Sequence, residues 1–215
     1  MNARVYVEGG GNSSILRKLC RRGFSEFFRK AGLEGRMPRI IASGSRNDAF
    51  SDFCTALNNA AVGDFIVLLV DAEDPVDPQD LAWDHLAKRD GWDRPKDAMD
   101  ENVHLMVQCM EAWFLADKEV LAQFFGKEFN RNALPGNSNI EDIQKKDVME
   151  GLQNATRSCK KKGKYSKGIH SFLILEKIDP DKVFLVSPYA QLLIQAIKEG
   201  SGGISEVAGI EPPQS

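Results

Sequence analysis

Phe65-Ile66-Val67-Leu68-Leu69-Val70, entered from Gly63-Asp64 and left through Asp71-Ala72-Glu73-Asp74-Pro75, is the stretch that decides the fold. It is apolar at every position rather than at every second one. A strand here must therefore be buried on both faces, as a central strand of a parallel sheet covered by helices is. At six residues the run is far too short to span a membrane. Towards the N-terminus, Val5-Tyr6-Val7 predicts a first strand that stops at Glu8-Gly9-Gly10-Gly11, with Asn12, Ser13 or Ser14 capping the next helix. That helix carries Ile15, Leu16, Leu19, Cys20, Phe27, Phe28 and Ala31 on one broad face, with Gly23 as a weak point. Arg39 to Ala42 reads as a second strand, and Ser43-Gly44-Ser45 turns it into a helix reaching about Ala60. A helix over roughly Gln79 to Lys88 and a fourth strand over Val103 to Val107 complete the alternation. Strands alternating with helices predict an α/β fold, a parallel sheet with right-handed crossovers.

From Met110 the pattern turns helical through Trp113, Phe114, Val120, Leu121, Phe124 and Phe125, until Gly126 stops it. The expected organisation is an α/β domain over 1–125, a linker or loop over 126–139 around Pro135-Gly136, a helical C-terminal part over 140–199, and a mobile tail over 200–215. A small domain can bury only part of the aromatic surface of Trp113, Phe114, Phe124, Phe125, Phe24, Phe27 and Phe28. Any exposed remainder would suit a homodimer or a partner.

The 215 residues carry 42% hydrophobic and 27% charged side chains, which excludes disordered, collagen-like and stapled mini-protein classes. The net charge of -3 argues against a binder that holds nucleic acid by global positive charge. Cys20, Cys54, Cys109 and Cys159 form no C-x-x-C pair, so reduced and mostly buried thiols are expected. With no leader pattern before a cleavage site, the expected location is cytoplasmic, with no membrane association.

In parallel α/β sheets, ligands bind at the carboxyl ends of the strands. Two of the expected strands end in acid, at Glu8 and at Asp71-Ala72-Glu73-Asp74. Carboxylates gathered at one sheet edge repel each other, and a hard divalent cation, Mg2+ or Mn2+, resolves the repulsion. The bland alternative is a charged, solvated loop, and it suits residues 71–101 as a whole, with eleven acids against four bases.

Glu8 before glycine, an acid-x-acid pair after the third strand, and the spacing between them resemble the Toprim domain of topoisomerases, primases and overcoming-lysogenization-defect (OLD) nucleases. Gln108-Cys109-Met110-Glu111-Ala112-Trp113-Phe114-Leu115-Ala116-Asp117 resembles the signature of a Toprim-like domain-of-unknown-function family, bacterial and often associated with ATPases or defence loci. Tyr165-Ser166-Lys167-Gly168-Ile169-His170 and Ile178-Asp179-Pro180 resemble that family's C-terminal part. The resemblance implies a metal-dependent nuclease with Glu8 as metal ligand or general base and Asp71 as first metal ligand. Glu73 stands where the Toprim pattern has Asp, a change of one methylene that magnesium geometry feels, and Asp74 is the substitute. Glu111 would complete the site, and Lys167 matches the family's lysine. Asp117 is expected at the surface or as a helix cap. The rival is a Toprim-derived adaptor without turnover; strand passage and primase chemistry would need modules that are not evident here.

Phosphodiester cleavage also needs cations near the phosphate. Residues 157–167 carry Arg157, Lys160, Lys161, Lys162, Lys164 and Lys167 with no acid, and residues 17–39 carry eight bases against two acids. Either these segments track a nucleic acid, DNA before RNA, or they are solvated surface. Arg46 could contact an anion or pair with Asp48 or Asp52. No H-E-x-x-H, G-x-S-x-G or complete phosphate-binding glycine motif is present.

Overall fold

A computed structural model describes residues 2–201 and has the expected α/β architecture, a four-stranded all-parallel sheet flanked by helices, consistent with a Rossmann-like fold. The strands are β1 (Ala3–Gly10), β2 (Arg39–Gly44), β3 (Phe65–Asp71) and β4 (Val103–Met106), in the order β2-β1-β3-β4. Val5 lies opposite Val67 and Leu68 opposite Val103, so the all-apolar stretch is an interior strand, and Ile66 to Val70 are buried. Helices α1 (Ser14–Phe28), α2 (Arg46–Asn58) and α3 (Ala82–Asp90) provide the crossovers. α1 starts where Ser13 Oγ accepts the Leu16 N–H, and α2 starts with a reciprocal Ser45–Asp48 capping box. α3 begins three residues later than Gln79, because the Asp84 carboxylate accepts the Leu81 N–H and fixes the start there.

The helical stretch after β4 breaks into a 3-10 segment, Met110–Ala116, and α4 (Lys118–Phe125). The break is at Asp117, expected at the surface or as a helix cap, and it stands at the N-cap position of α4 rather than at the surface. It is 1% exposed, and it accepts the Asp179 N–H at 3.1 Å and pairs with Lys182 Nζ at 2.6 Å. Four further helices follow: α5 (Lys145–Ala155), α6 (Ile169–Leu175), α7 (Pro180–Phe184) and α8 (Pro188–Ser201). Residues 126–139, the expected linker, send Leu134 into the main core and set Pro135 against Gly151.

That core joins one face of the sheet to the C-terminal helices, with Phe27 stacked on Trp113 at 5.1 Å between ring centres. A smaller core on the other face holds Phe53, Trp83 and Trp92 beneath α2 and α3. Gly23 is a crossing point rather than a weak point: a β-carbon there would lie 2.8 Å from the Phe172 carbonyl oxygen, so its absence lets α6 lie against α1. The C-terminal helices cover the expected aromatic surface. Phe24, Phe27, Phe28, Trp113, Phe114 and Phe125 are all buried, and only Phe124 is half-buried, so exposed aromatics give no argument for a dimer. Cys20, Cys109 and Cys159 are buried thiols and Cys54 is half-buried, as expected. Among the described residues no helix is long and apolar enough to cross a membrane. The mobile tail was expected from 200; Gly200 and Ser201 close α8, and 202–215 lie outside the described residues.

Candidate metal centre

The carboxyl ends of β1 and β3 are adjacent, which brings Glu8 beside Asp71. Glycine is required at the end of β1. Gly10 has φ +84, and a β-carbon on it would meet the Arg17 backbone at 2.7 Å, so the strand can turn tightly under the start of α1. Beyond β3 the pairing continues past the strand: the Ala72 N–H donates to the Met106 carbonyl at 2.9 Å and the Glu73 N–H to the Gln108 carbonyl at 2.7 Å. The buried ring of His85, 2.9 Å from the Ala72 carbonyl, pins the loop from the other side. Glu73 itself has φ +71, a left-handed conformation that costs a non-glycine residue about 1 to 3 kcal/mol and persists where the surroundings over-determine it. One oxygen from each of Glu8, Asp71 and Glu73 lies within 4.8 Å of the other two.

Glu111 approaches from the 3-10 segment after β4 and is completely buried. Its Oε1 accepts hydrogen bonds from Tyr165 Oη at 3.1 Å and Ser171 Oγ at 3.0 Å. Its Oε2 is buried with no hydrogen-bond partner. Glu8, Asp71, Glu111 and Lys167 share the lining of one cavity of about 210 Å3, roofed by Gly168, Ser171 and Phe172 of the α6 segment. Asp71 is buried and locked: Oδ1 accepts the Met110 N–H at 2.8 Å, while Oδ2 faces Lys145 Nζ at 3.3 Å and Lys167 Nζ at 3.6 Å. Asp74 is not brought in. Its carboxylate is exposed and pairs with Arg89 at 3.1 Å.

The carboxyl groups are not equivalent. Burial, with the Asp71 charge adding to it, raises the Glu8 carboxyl above its ordinary value, although Arg46 opposes the shift. Burial raises Glu111 too, against the pull of Lys167. At Glu73 burial also works upward, but the hydrogen bond and charge of Lys145 outweigh it and the carboxyl is lowered. Lys167 is held above the ordinary lysine value: burial works downward, and the charges of Glu111, Asp71 and Glu8 overcome it.

Arg46, expected as an anion contact or a partner of Asp48 or Asp52, does neither of the last two. Asp48 is committed to the helix cap, and Arg46 makes a two-point pair with Asp90 at 3.0 and 2.7 Å, lies 5.1 Å over the Trp92 ring, and reaches Glu8 Oε2 at 3.4 Å. Lys145, at the first turn of α5, is a site residue that the sequence reading missed, as are Tyr165 and Ser171 in their role as donors to Glu111. His170, whose segment resembles the family's C-terminal part, accepts the Ser166 N–H at 3.1 Å in a structural role. Trp83 and Trp92 are core residues rather than a stacking platform. The lysines of residues 160–164 line the loop leading to Lys167, with Lys160, Lys161 and Lys164 exposed.

Fold and site together define an α/β protein with a partly buried carboxylate cluster at the carboxyl ends of a parallel sheet. A family model described as "Domain of unknown function (DUF4276)" matches residues 7–198, and the chain belongs to that family. No curated protein and no solved structure matches the chain.

Proposed function

We propose that the chain is a divalent-metal-dependent phosphodiester hydrolase, a nuclease of Toprim type, working on nucleic acid, DNA before RNA, as a bacterial defence effector with a partner ATPase. The partner and the biological setting rest on the sequence resemblance alone. The observation that carries the chemistry is the Glu111 carboxylate, which is completely buried, has one oxygen with no partner, and belongs to a residue that lines the same small cavity as Glu8, Asp71 and Lys167. A buried polar atom left without a partner costs roughly 1 to 3 kcal/mol, and a cation beside it removes that cost. Carboxylate oxygens as the only donors suit Mg2+ or Mn2+ rather than a softer ion. Glu8, Asp71 and Glu111 would hold the ion, with Glu73 beside them and engaged by Lys145 and Arg89.

When bound, such an ion polarises the phosphoryl oxygen and makes a coordinated water acidic. The side chains divide the remaining work. Glu8, its Oε2 steadied by Arg46, is placed to hold the ion or, where Asp71 and Glu111 hold it without Glu8, to take a proton from the attacking water. Lys167 is cationic and half-exposed at the cavity mouth, where it meets charge on the departing oxygen. Lys160, Lys161 and Lys164 extend positive charge along the adjoining loop, where a phosphate backbone would run.

The test is incubation with supercoiled DNA, single-stranded DNA and RNA in Mg2+, in Mn2+ and in chelator, alone and with any ATPase that co-purifies with it. Cleavage in metal that falls at least about a thousandfold in Asp71→Asn and Glu8→Gln, with folding intact, is the expected result. Glu101→Gln, outside the cavity, should stay within about twofold. The second reading, an adaptor without turnover, is favoured by the Glu73 carboxylate being already engaged by Lys145 and Arg89. It requires that neither Asp71→Asn nor Glu8→Gln changes any activity.

A further inference from the structure

Glu8, Asp71 and Glu73 are each faced by a cation fixed to the chain, and one of these cations stands among the candidate ligand atoms. Lys145 Nζ touches Glu73 Oε1 and lies 3.3 Å from Asp71 Oδ2. Its position is set by the backbone: the Lys145 N–H donates to Oε1 of Gln108, itself 2% exposed, at 3.2 Å, which ties the start of α5 to the end of the sheet.

We propose that the centre takes a single divalent cation and that the Lys145 ammonium occupies the place of a second ion between Asp71 and Glu73. The proposal deepens the metal-dependent reading above and rests on it. Charge is the first argument. Glu8, Asp71, Glu73 and Asp90 form one connected cluster with Arg46, Arg89, Lys145 and Lys167, and Glu111 lines the same cavity as Lys167, five carboxyl groups against four cations. One divalent ion exceeds that deficit by a single charge and two exceed it by three, an excess of positive charge that desolvation disfavours in a largely buried site. Position is the second argument. The oxygen without a partner is Oε2 of Glu111, a residue that lines the cavity with Asp71 and Glu8, whereas the Glu73 oxygens are already served by Lys145 and Arg89. Lys145, unlike Lys167, does not line that cavity, so the cation that serves Glu73 is not at the residue whose oxygen lacks a partner. Lys145 is a positioning residue in this arrangement, supplying a fixed positive charge where two-metal hydrolases use an exchangeable ion.

Calorimetric titration of Mn2+ into the full chain, with free Mn2+ counted by electron paramagnetic resonance, tests the assignment; only binding lost in Asp71→Asn is counted. The expected result is one ion per wild-type chain, a second ion in Lys145→Met, and a return to one in Lys145→Arg. Two ions on the wild type would overturn the assignment while leaving the metal-dependent reading standing. One ion with unchanged affinity in a folded Lys145→Met would overturn it as well. No Mn2+ on the wild type would overturn both. The wild-type count decides between one and two without any variant.

Discussion

Among the described residues, two of the concave regions that carry carboxylates are built in opposite ways. In the cavity at the carboxyl ends of β1 and β3 the acids come from three separate chain segments, Glu8, Asp71 and Glu111, and point inward at a volume of about 210 Å3. The groove of about 370 Å3 between the edge strand β4, the start of α3 and α8 has an apolar floor including Leu81, Leu105 and Leu192, and its acids, Asp80, Asp100, Glu101 and Glu199, sit around the rim. There Asp80 is held by Lys88 at 2.5 Å and Asp100 by Arg94 at 3.0 Å. His104 lines the groove without adding a charge, since burial pushes it down to about 4. The two regions hold similar numbers of carboxyl groups. What distinguishes the first is convergence under burial, which raises Glu8 and Glu111 and leaves one oxygen without a partner. Counting acids along the sequence would have favoured the second region.

The largest effect on stability should come from disturbing the backbone that makes convergence possible. Gly10→Ala places a β-carbon into the Arg17 backbone at a positive φ, and strain and overpacking together should cost on the order of 3 kcal/mol. Leu192→Ala on the exposed wall of the groove should stay within about 0.5 kcal/mol. Urea midpoints at constant m-value read both, and equal costs would break the contrast between a constrained cavity and a tolerant groove.

A smaller effect concerns pH. Because burial raises the Glu111 carboxyl, the folded chain holds that proton more tightly than the unfolded chain does. The stability this contributes is complete below the ordinary value of 4.5 and fades as pH rises through the raised folded value. Glu111→Gln removes the fade. In chelator its melting temperature should exceed that of the wild type at pH 8 by a few degrees, at roughly 2 to 4 °C per kcal/mol, and the two should converge at acid pH. Glu101→Gln on the groove rim should show no such divergence. A wild type and Glu111→Gln that run parallel across the whole range would mean that Glu111 is not held as the structure shows it.

The sheet was legible in the sequence because its signals are local. An all-apolar run bounded by Gly-Asp and Asp can be only a buried strand or a buried helix, and six residues are too few for the helix. Glu8 and Asp71 were legible for the same reason, as acids at strand ends where parallel sheets bind their ligands. Glu111 was found beside them, but its burial was not, since the α6 segment that supplies Tyr165 and Ser171 lies 54 and 60 residues further on. Lys145 lies 74 residues from Asp71, in a run of lysines no different in composition from a solvated helix start. Arg46 and Asp90 are 44 residues apart, while nearer acids offered easier partners. Asp117 stands at a helix cap, one of its two expected places, but only the docking of α7 shows that its carboxylate is buried. Contacts made when helices dock leave no periodic trace in either partner.

The claim that the cavity is a divalent-cation centre can be tested most directly by diffraction from crystals grown in MnCl2, recorded at the manganese absorption edge. The expected result is one anomalous peak within bonding distance of Glu8, Asp71 and Glu111, and its disappearance in Asp71→Asn. A cavity without a peak at saturating Mn2+, or a peak at the acidic rim of the groove in its stead, would contradict it.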